Sequence, residues 1–104
     1  MVLVHIICES KSQALDIVDV LIEERLMLDA MISDKLLFKR LKSGETESHE
    51  RTLVMGTTKA LLFKTIDQRI KQVFTSTAPL VYAMPIVYMN AEQTQELQAE
   101  TRKV

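Results

Sequence analysis

The sequence predicts an α+β fold in which helices cover one face of a four-stranded antiparallel sheet. Three observations predict it: short apolar runs rich in β-branched residues, segments between them with three- and four-residue apolar spacing, and a polar stretch containing Gly44 between the middle runs.

Val2–Cys8 is short, β-branched and bounded by the polar Glu9–Ser12, and it reads as a buried first strand. Ser10 followed by Gln13 has the capping-box spacing, so a helix starts there. Ala14, Ile17, Val18, Leu21, Ile22 and Arg25 then recur on one side, with Asp16, Asp19 and Glu23 opposite, as in an amphipathic helix with one buried face. The period is lost after Leu26. From Ala30 the pattern suits an extended segment, interrupted near Asp34-Lys35 and resumed over Leu36–Leu41. Helix, short turn and strand therefore succeed one another, although Leu21–Ile32 has no glycine or proline to mark the join.

Lys42–Arg51 is polar, contains Gly44 and reads as the connection of a hairpin, with Thr52–Thr58 as the third strand. Leu62, Ile66, Ile70 and Val73 form one stripe, with Lys64, Asp67 and Lys71 facing away, which predicts a second helix. Pro79–Met89 is the fourth strand. Its two prolines lack the ladder donor, so it belongs at a sheet edge. Asn90 and Gln93 repeat the capping spacing and open a polar C-terminal helix, Ala91 to about Arg102, with little to bury and free to fray. Two split βαβ units joined by a hairpin describe a ferredoxin-like sandwich, here with an extra C-terminal helix. The 104 residues suit one domain spanning 1–104.

Composition narrows the function. A net charge of −1 and the lack of a basic cluster interleaved with aromatics argue against nucleic acid and anionic lipid as partners. No apolar run approaches the roughly 20 residues that span a bilayer. The N-terminal residues lack the basic start and small-residue cleavage site of a signal peptide. Cys8 is the only cysteine, so no internal disulfide forms, and a buried lone thiol fits a reducing cytoplasm.

The strands have too many apolar faces. Val2, Val4 and Ile6 oppose Leu3, His5 and Ile7, and Leu80, Tyr82, Met84, Ile86 and Tyr88 oppose Val81, Ala83 and Val87. Strand three sets Leu53 and Met55 against Val54 and Gly56. Two helices cover one face. The other leaves on the order of several hundred Å² of apolar surface, at or beyond what a monomer tolerates, and a subunit partner is expected on it unless the C-terminal helix folds across.

Few side chains form a chemical constellation. His49 with Glu45, Glu47 and Glu50 offers imidazole and carboxylates for Cu²⁺, Zn²⁺ or Mn²⁺ if they converge, though such a cluster is more often a solvated loop. His5 and Cys8, three apart in a strand, face opposite ways and do not jointly ligate one ion. Two isolated glycines make no phosphate cradle, and the six methionines sit mostly at core positions. No catalytic residue is assigned.

Val20-Leu-Ile-Glu-Glu-Arg-Leu26 resembles the helix end of the CutA-type divalent-cation tolerance proteins, which group with the nitrogen regulatory PII signalling proteins. From Ser10 to Thr58 the family pattern fits without a gap: Ser10 on the helix-starting serine, Gly44 on the hairpin glycine, Glu47 and Glu50 in the acidic stretch, Leu53 and Val54 in the following strand. Thr58 falls on the threonine of a lysine-threonine pair, and Pro79, Ala83 and Pro85-Ile86 match the last strand. The departures are concentrated at polar and aromatic positions. Asp29 stands for a cysteine, Met31 for an asparagine, Asp34-Lys35 for a proline-glycine turn, Arg40 and Lys42 for a tyrosine and a tryptophan, and Thr57 for a lysine. Phe74-Thr-Ser76 replaces a His-Pro-Tyr segment. Such a pattern marks a divergent member or one with an altered ligand.

The resemblance implies a non-enzymatic cytoplasmic homotrimer linked to divalent metal ion tolerance, binding a metal ion or small anionic ligand at clefts between subunits. The ligand-binding candidates are His5, Arg40, Lys42 and His49. The only cofactor it brings into view is a divalent cation, Cu²⁺ or Zn²⁺, and no metal ligand is assigned. Two alternatives stand beside it: a PII-like regulatory module for a nucleotide or metabolite, which expects a longer loop between strands two and three, and a small ferredoxin-like isomerase or oxygenase using His5 as base.

Overall fold

A computed structural model describes residues 1–75 and 77–104. The chain runs β1 (Val2–Cys8), α1 (Lys11–Glu23), β2 (Met31–Lys42), β3 (Glu45–Thr58), a short 3₁₀ turn (Ala60–Leu62), α2 (Phe63–Val73), β4 (Leu80–Pro85) and α3 (Ala91–Glu100). The strands form one antiparallel sheet in the order β2-β3-β1-β4, the ferredoxin-like arrangement. β4 is an edge strand, as its prolines require, with Pro79 just before it and Pro85 as its last residue.

Strand alternation builds the core. Val4, Ile6 and Cys8 of β1 and Val54 of β3 point to one face and are fully buried against Ala14, Ile17 and Leu21 of α1 and Ile66 and Ile70 of α2. α1 starts where its cap spacing places it: Ser10 Oγ accepts from the Gln13 backbone N–H at 3.1 Å. Gln13 reaches back to accept from Glu9 N–H and donates to the Thr77 carbonyl, which ties the helix start to the approach to β4.

The join without glycine is a Schellman cap. Leu26 N–H donates to the Leu21 carbonyl at 2.8 Å and Arg25 N–H to that of Ile22 at 3.0 Å. The left-handed residue of this motif is Arg25, with φ of 57°, where glycine is usual. Leu26 is buried completely behind it, and that apolar anchor holds the turn. The chain then crosses β3 closely: a side chain at Gly56 would run into the Asp29 carbonyl and Met27, so only glycine fits. Asp29 Oδ1 accepts from both the N–H and the hydroxyl of Thr57, which extends the β2–β3 pairing through a side chain.

The expected break near Asp34-Lys35 is a β-bulge. Three steps from Ser33 to Leu36 oppose two from Leu53 to Arg51, and Lys35 has φ of 56°. Asp34 Oδ1 accepts from Lys35 N–H and the buried Thr52 hydroxyl, both at 2.8 Å.

Three expectations change. Lys42–Arg51 is no loop: only Ser43 and Gly44 turn, both at positive φ as a two-residue type I′ hairpin requires, and Glu45–Arg51 is strand. Its polarity reflects solvent on both sides of a two-stranded ribbon, whose residues are exposed or half-buried. β4 ends at Pro85 rather than Met89, leaving Val87 and Tyr88 in an exposed connection. α3 does not fray. Leu97 is fully buried, Arg102 N–H donates to the Arg25 carbonyl, and Lys59 Nζ donates to the carbonyls of Gln98, Thr101 and Arg102.

Glu24 is the hub of this closure. Its carboxylate takes Arg69 of α2 in a fork at 2.8–2.9 Å and Arg102 at 3.4 Å, and its carbonyl accepts from Arg102 Nε. The Arg69 hydrogen bond is the main reason the Glu24 carboxyl titrates below its ordinary range, and the Thr52 hydroxyl does the same for Asp34.

Replacing Arg25 by glycine is expected to raise stability by up to about 1 kcal/mol, read from the urea midpoint, because it removes a left-handed side-chain clash. Both depressed carboxylates add stability above their unfolded pKa, about 4, that is lost as pH falls through their lower folded values. Urea midpoints of wild type should therefore fall below about pH 4 more steeply than those of Glu24→Gln with Asp34→Asn.

Candidate functional site

The face of the sheet away from α1 and α2 carries the candidate chemistry. Register places Leu3, His5 and Ile7 of β1 between Leu53 and Met55 of β3 and Leu80, Tyr82 and Met84 of β4. It is apolar and open: Met31 is 70% exposed, Tyr82 46%, Leu80 44% and Met84 42%. α3 is held by its end to the α1–β2 connection.

His5 sits mid-face. Its Nδ1 lies 3.3 Å from the Tyr82 hydroxyl, with the two rings edge-on at a centroid distance of 5.2 Å. Its Nε2 is buried without a hydrogen-bond partner among the described residues. No carboxylate accompanies it within hydrogen-bonding distance there. Cys8, three residues on, points the other way into the core, and burial pushes its thiol up to about 12.

On the ribbon, Phe38, Arg40 and Lys42 of β2 stand opposite His49, Glu47 and Glu45 of β3 on this same face. Arg40 and Lys42 come together in a cleft of about 300 Å³ between the ribbon and the start of β4. Arg51, Phe38, Ile7 and Glu9 also line it. A smaller apolar hollow of about 160 Å³ adjoins, sharing Ile7, Phe38 and Arg51 and walled by Leu53 and Tyr82. His49 and His5 line neither. His49 Nε2 contacts Glu47 Oε2 at 3.0 Å instead. Glu50 faces away from that pair, and no group of three His, Cys, Asp or Glu side chains converges among the described residues. One chain's His49 and Glu47 thus fall short of the four ligands of a structural zinc site. Arg51, Glu9 and Phe38 were not among the sequence-derived candidates. Reading residues 45–51 as loop hid the strand parity that aligns Arg51 with Arg40 and Lys42.

The family model for the CutA1 divalent ion tolerance protein matches residues 2–99. The chain belongs to this CutA1 family. Among curated proteins, none matches the sequence. Of solved structures, the chain is similar to the divalent cation tolerance protein of Thermus thermophilus, at 28% identity and TM-score 0.91, covering 98% of this chain and 100% of that one. CutA1 of Oryza sativa superimposes with TM-score 0.91 at 19% identity, covering 99% of this chain and 94% of the other. The protein described as the periplasmic divalent cation tolerance protein CutA of Archaeoglobus fulgidus does so with TM-score 0.88 at 20% identity, over 96% and 98%. The last two show the shared fold. No helix among the described residues is long and apolar enough to cross a membrane.

Some of the positions that differ from the expected family pattern come together in this fold. Asp29 and Thr57, both departures, bond to each other. Arg40 and Lys42 share the cleft next to residues 77–80, directly after the replaced segment 74–76, of which Ser76 lies outside the described residues.

In the native protein Cys8 should react with a thiol-disulfide exchange reagent at about pH 8 at least 100-fold more slowly than in urea, followed by absorbance.

Proposed function

We propose that residues 1–104 form one domain that assembles as a non-enzymatic cytoplasmic homotrimer, contributing to divalent metal ion tolerance by binding a metal ion or small anionic ligand where subunits meet. The observation that carries this reading is the open apolar face around His5. A sheet face with five large apolar side chains between 38% and 70% exposed (Met31, Leu36, Leu80, Tyr82 and Met84) is poorly tolerated in water. The buried His5 Nε2, unpartnered among the described residues, lies on the same face, and an interface that brings it a polar group relieves the desolvation cost. Family membership supports the link to divalent ions. The divalent ion is cargo in this reading, since no three ligating side chains converge among the described residues of one chain. The lone buried thiol supports the cytoplasmic placement.

His5, Arg40, Lys42 and His49 remain the proposed ligand-binding residues, with Arg40 and Lys42 the best grouped. The PII-like alternative loses support from the two-residue turn at Ser43-Gly44, which leaves no long loop to engage targets. The isomerase or oxygenase alternative needs a carboxylate beside His5 from another chain.

Light scattering on wild type at micromolar concentration should give three times the 11.9 kDa chain mass, and Met84→Lys should reduce it to a single chain. A wild type that runs as a single chain sinks the assembly reading. In thermal-shift screens Cu²⁺, Zn²⁺ or organic acids should raise the melting temperature. A shift with nucleotide alone supports the PII-like alternative instead.

A further inference from the structure

We infer that the cleft between the β2–β3 ribbon and the start of β4 takes a small organic dianion, its carboxylate or phosphoryl oxygens on Arg40, Lys42 and Arg51 and its short apolar body over Phe38. The inference rests on the proposed function only in assuming that this protein has a small ligand, and it narrows that ligand's class.

The charge balance comes first. Three cationic side chains line the cleft against one carboxylate, Glu9. The ribbon does not neutralise them. Register sets Glu47 across from Arg40 and Glu45 across from Lys42, yet Glu47 turns to His49. Among the described residues none of the three cations has a carboxylate within 4.0 Å; every ion pair found involves other basic groups. Arg51 spends one N–H on the Glu50 carbonyl, leaving the rest of its fork free. Two guanidinium forks and an ammonium in one concavity match the oxygens of a carboxylate or phosphoryl group. The same charges repel a bare divalent cation, so an ion reaches this cleft only inside a complex of net negative charge.

Shape sets the rest. About 300 Å³ is at the small end of ligand pockets. The adjoining hollow of about 160 Å³ is mainly apolar, and Phe38 and Ile7 belong to both spaces. A ligand charged at one end and apolar at the other fills the two together, whereas inorganic phosphate uses only the first.

The test is isothermal titration of the full chain with four probes: benzylmalonate, benzyl phosphate, inorganic phosphate and Zn²⁺ alone. One of the benzyl dianions should saturate the site about tenfold more tightly than inorganic phosphate, and which of the two binds better identifies carboxylate or phosphoryl as the preferred head. Arg40→Gln with Lys42→Gln should weaken that binding at least about tenfold, Phe38→Ala should erase the preference over phosphate, and Glu9→Gln should tighten binding. Both basic side chains are exposed, so the double variant should keep wild-type circular dichroism and mass. Absence of saturable binding by either benzyl dianion overturns the inference, as does unchanged affinity in the double variant. Light scattering on the same samples separates the two readings: a single-chain wild type that binds the dianion sinks the trimer alone, and a trimer that binds none sinks the dianion site alone.

Discussion

Everything in this molecule depends on a sheet whose central strands are apolar on both sides. β1 pairs with β3 over seven residues, and strict alternation sends Val4, Ile6, Cys8 and Val54 toward the helices and Leu3, His5, Ile7 and Leu53 away from them. Two helices are enough for one face. Their burial closes a small, mainly apolar core whose buried hydroxyls, Thr52 and Thr58, are hydrogen-bonded, and the same alternation leaves a largely apolar surface behind it. The constraint that builds the fold therefore also leaves the open apolar surface on which the proposed assembly rests.

Around that core, polar contacts serve mainly to join elements. Gln13 links the start of α1 to Thr77, Asp34 links the bulge to Thr52, Asp29 links the α1–β2 connection to Thr57, and Glu24 links α1, α2 and the C-terminal segment. Each lies where backbone pairing stops and a side chain takes over. This explains how an α1–β2 connection without glycine or proline makes its turn. The Schellman hydrogen bonds and the buried Leu26 outweigh about 1–2 kcal/mol for placing Arg25 in the left-handed region.

The ribbon contributes differently. Beyond Thr52 neither face of β2 and β3 is covered by a helix, so its residues are selected for cross-strand pairing and turn geometry rather than burial. The pairing register and the path into β4 set Arg40, Lys42 and Arg51 beside the beginning of β4, far from them in sequence. The chemistry there is cationic, in a protein whose net charge is −1. Local charge, not the total, decides which ligand such a cleft accepts.

The sequence alone determined the element order, the caps at Ser10 and Asn90, the edge position of the proline-bearing strand, an interruption near Asp34-Lys35, the family, and the excess of apolar strand faces. Each of these is local: a spacing of two, three or four residues, or one residue type at one position. Hairpin length, the end of β4, and the anchoring of α3 escaped it. A polar stretch reads the same whether it is loop or a strand wet on both faces, and Leu97 gains its burial only from distant chain segments. The site divides in the same way. Arg40 and Lys42 were legible as departures from a family pattern, but their union with Arg51, Glu9 and Phe38 was decided by tertiary structure, because only the pairing register and the path into β4 bring those side chains to one cleft.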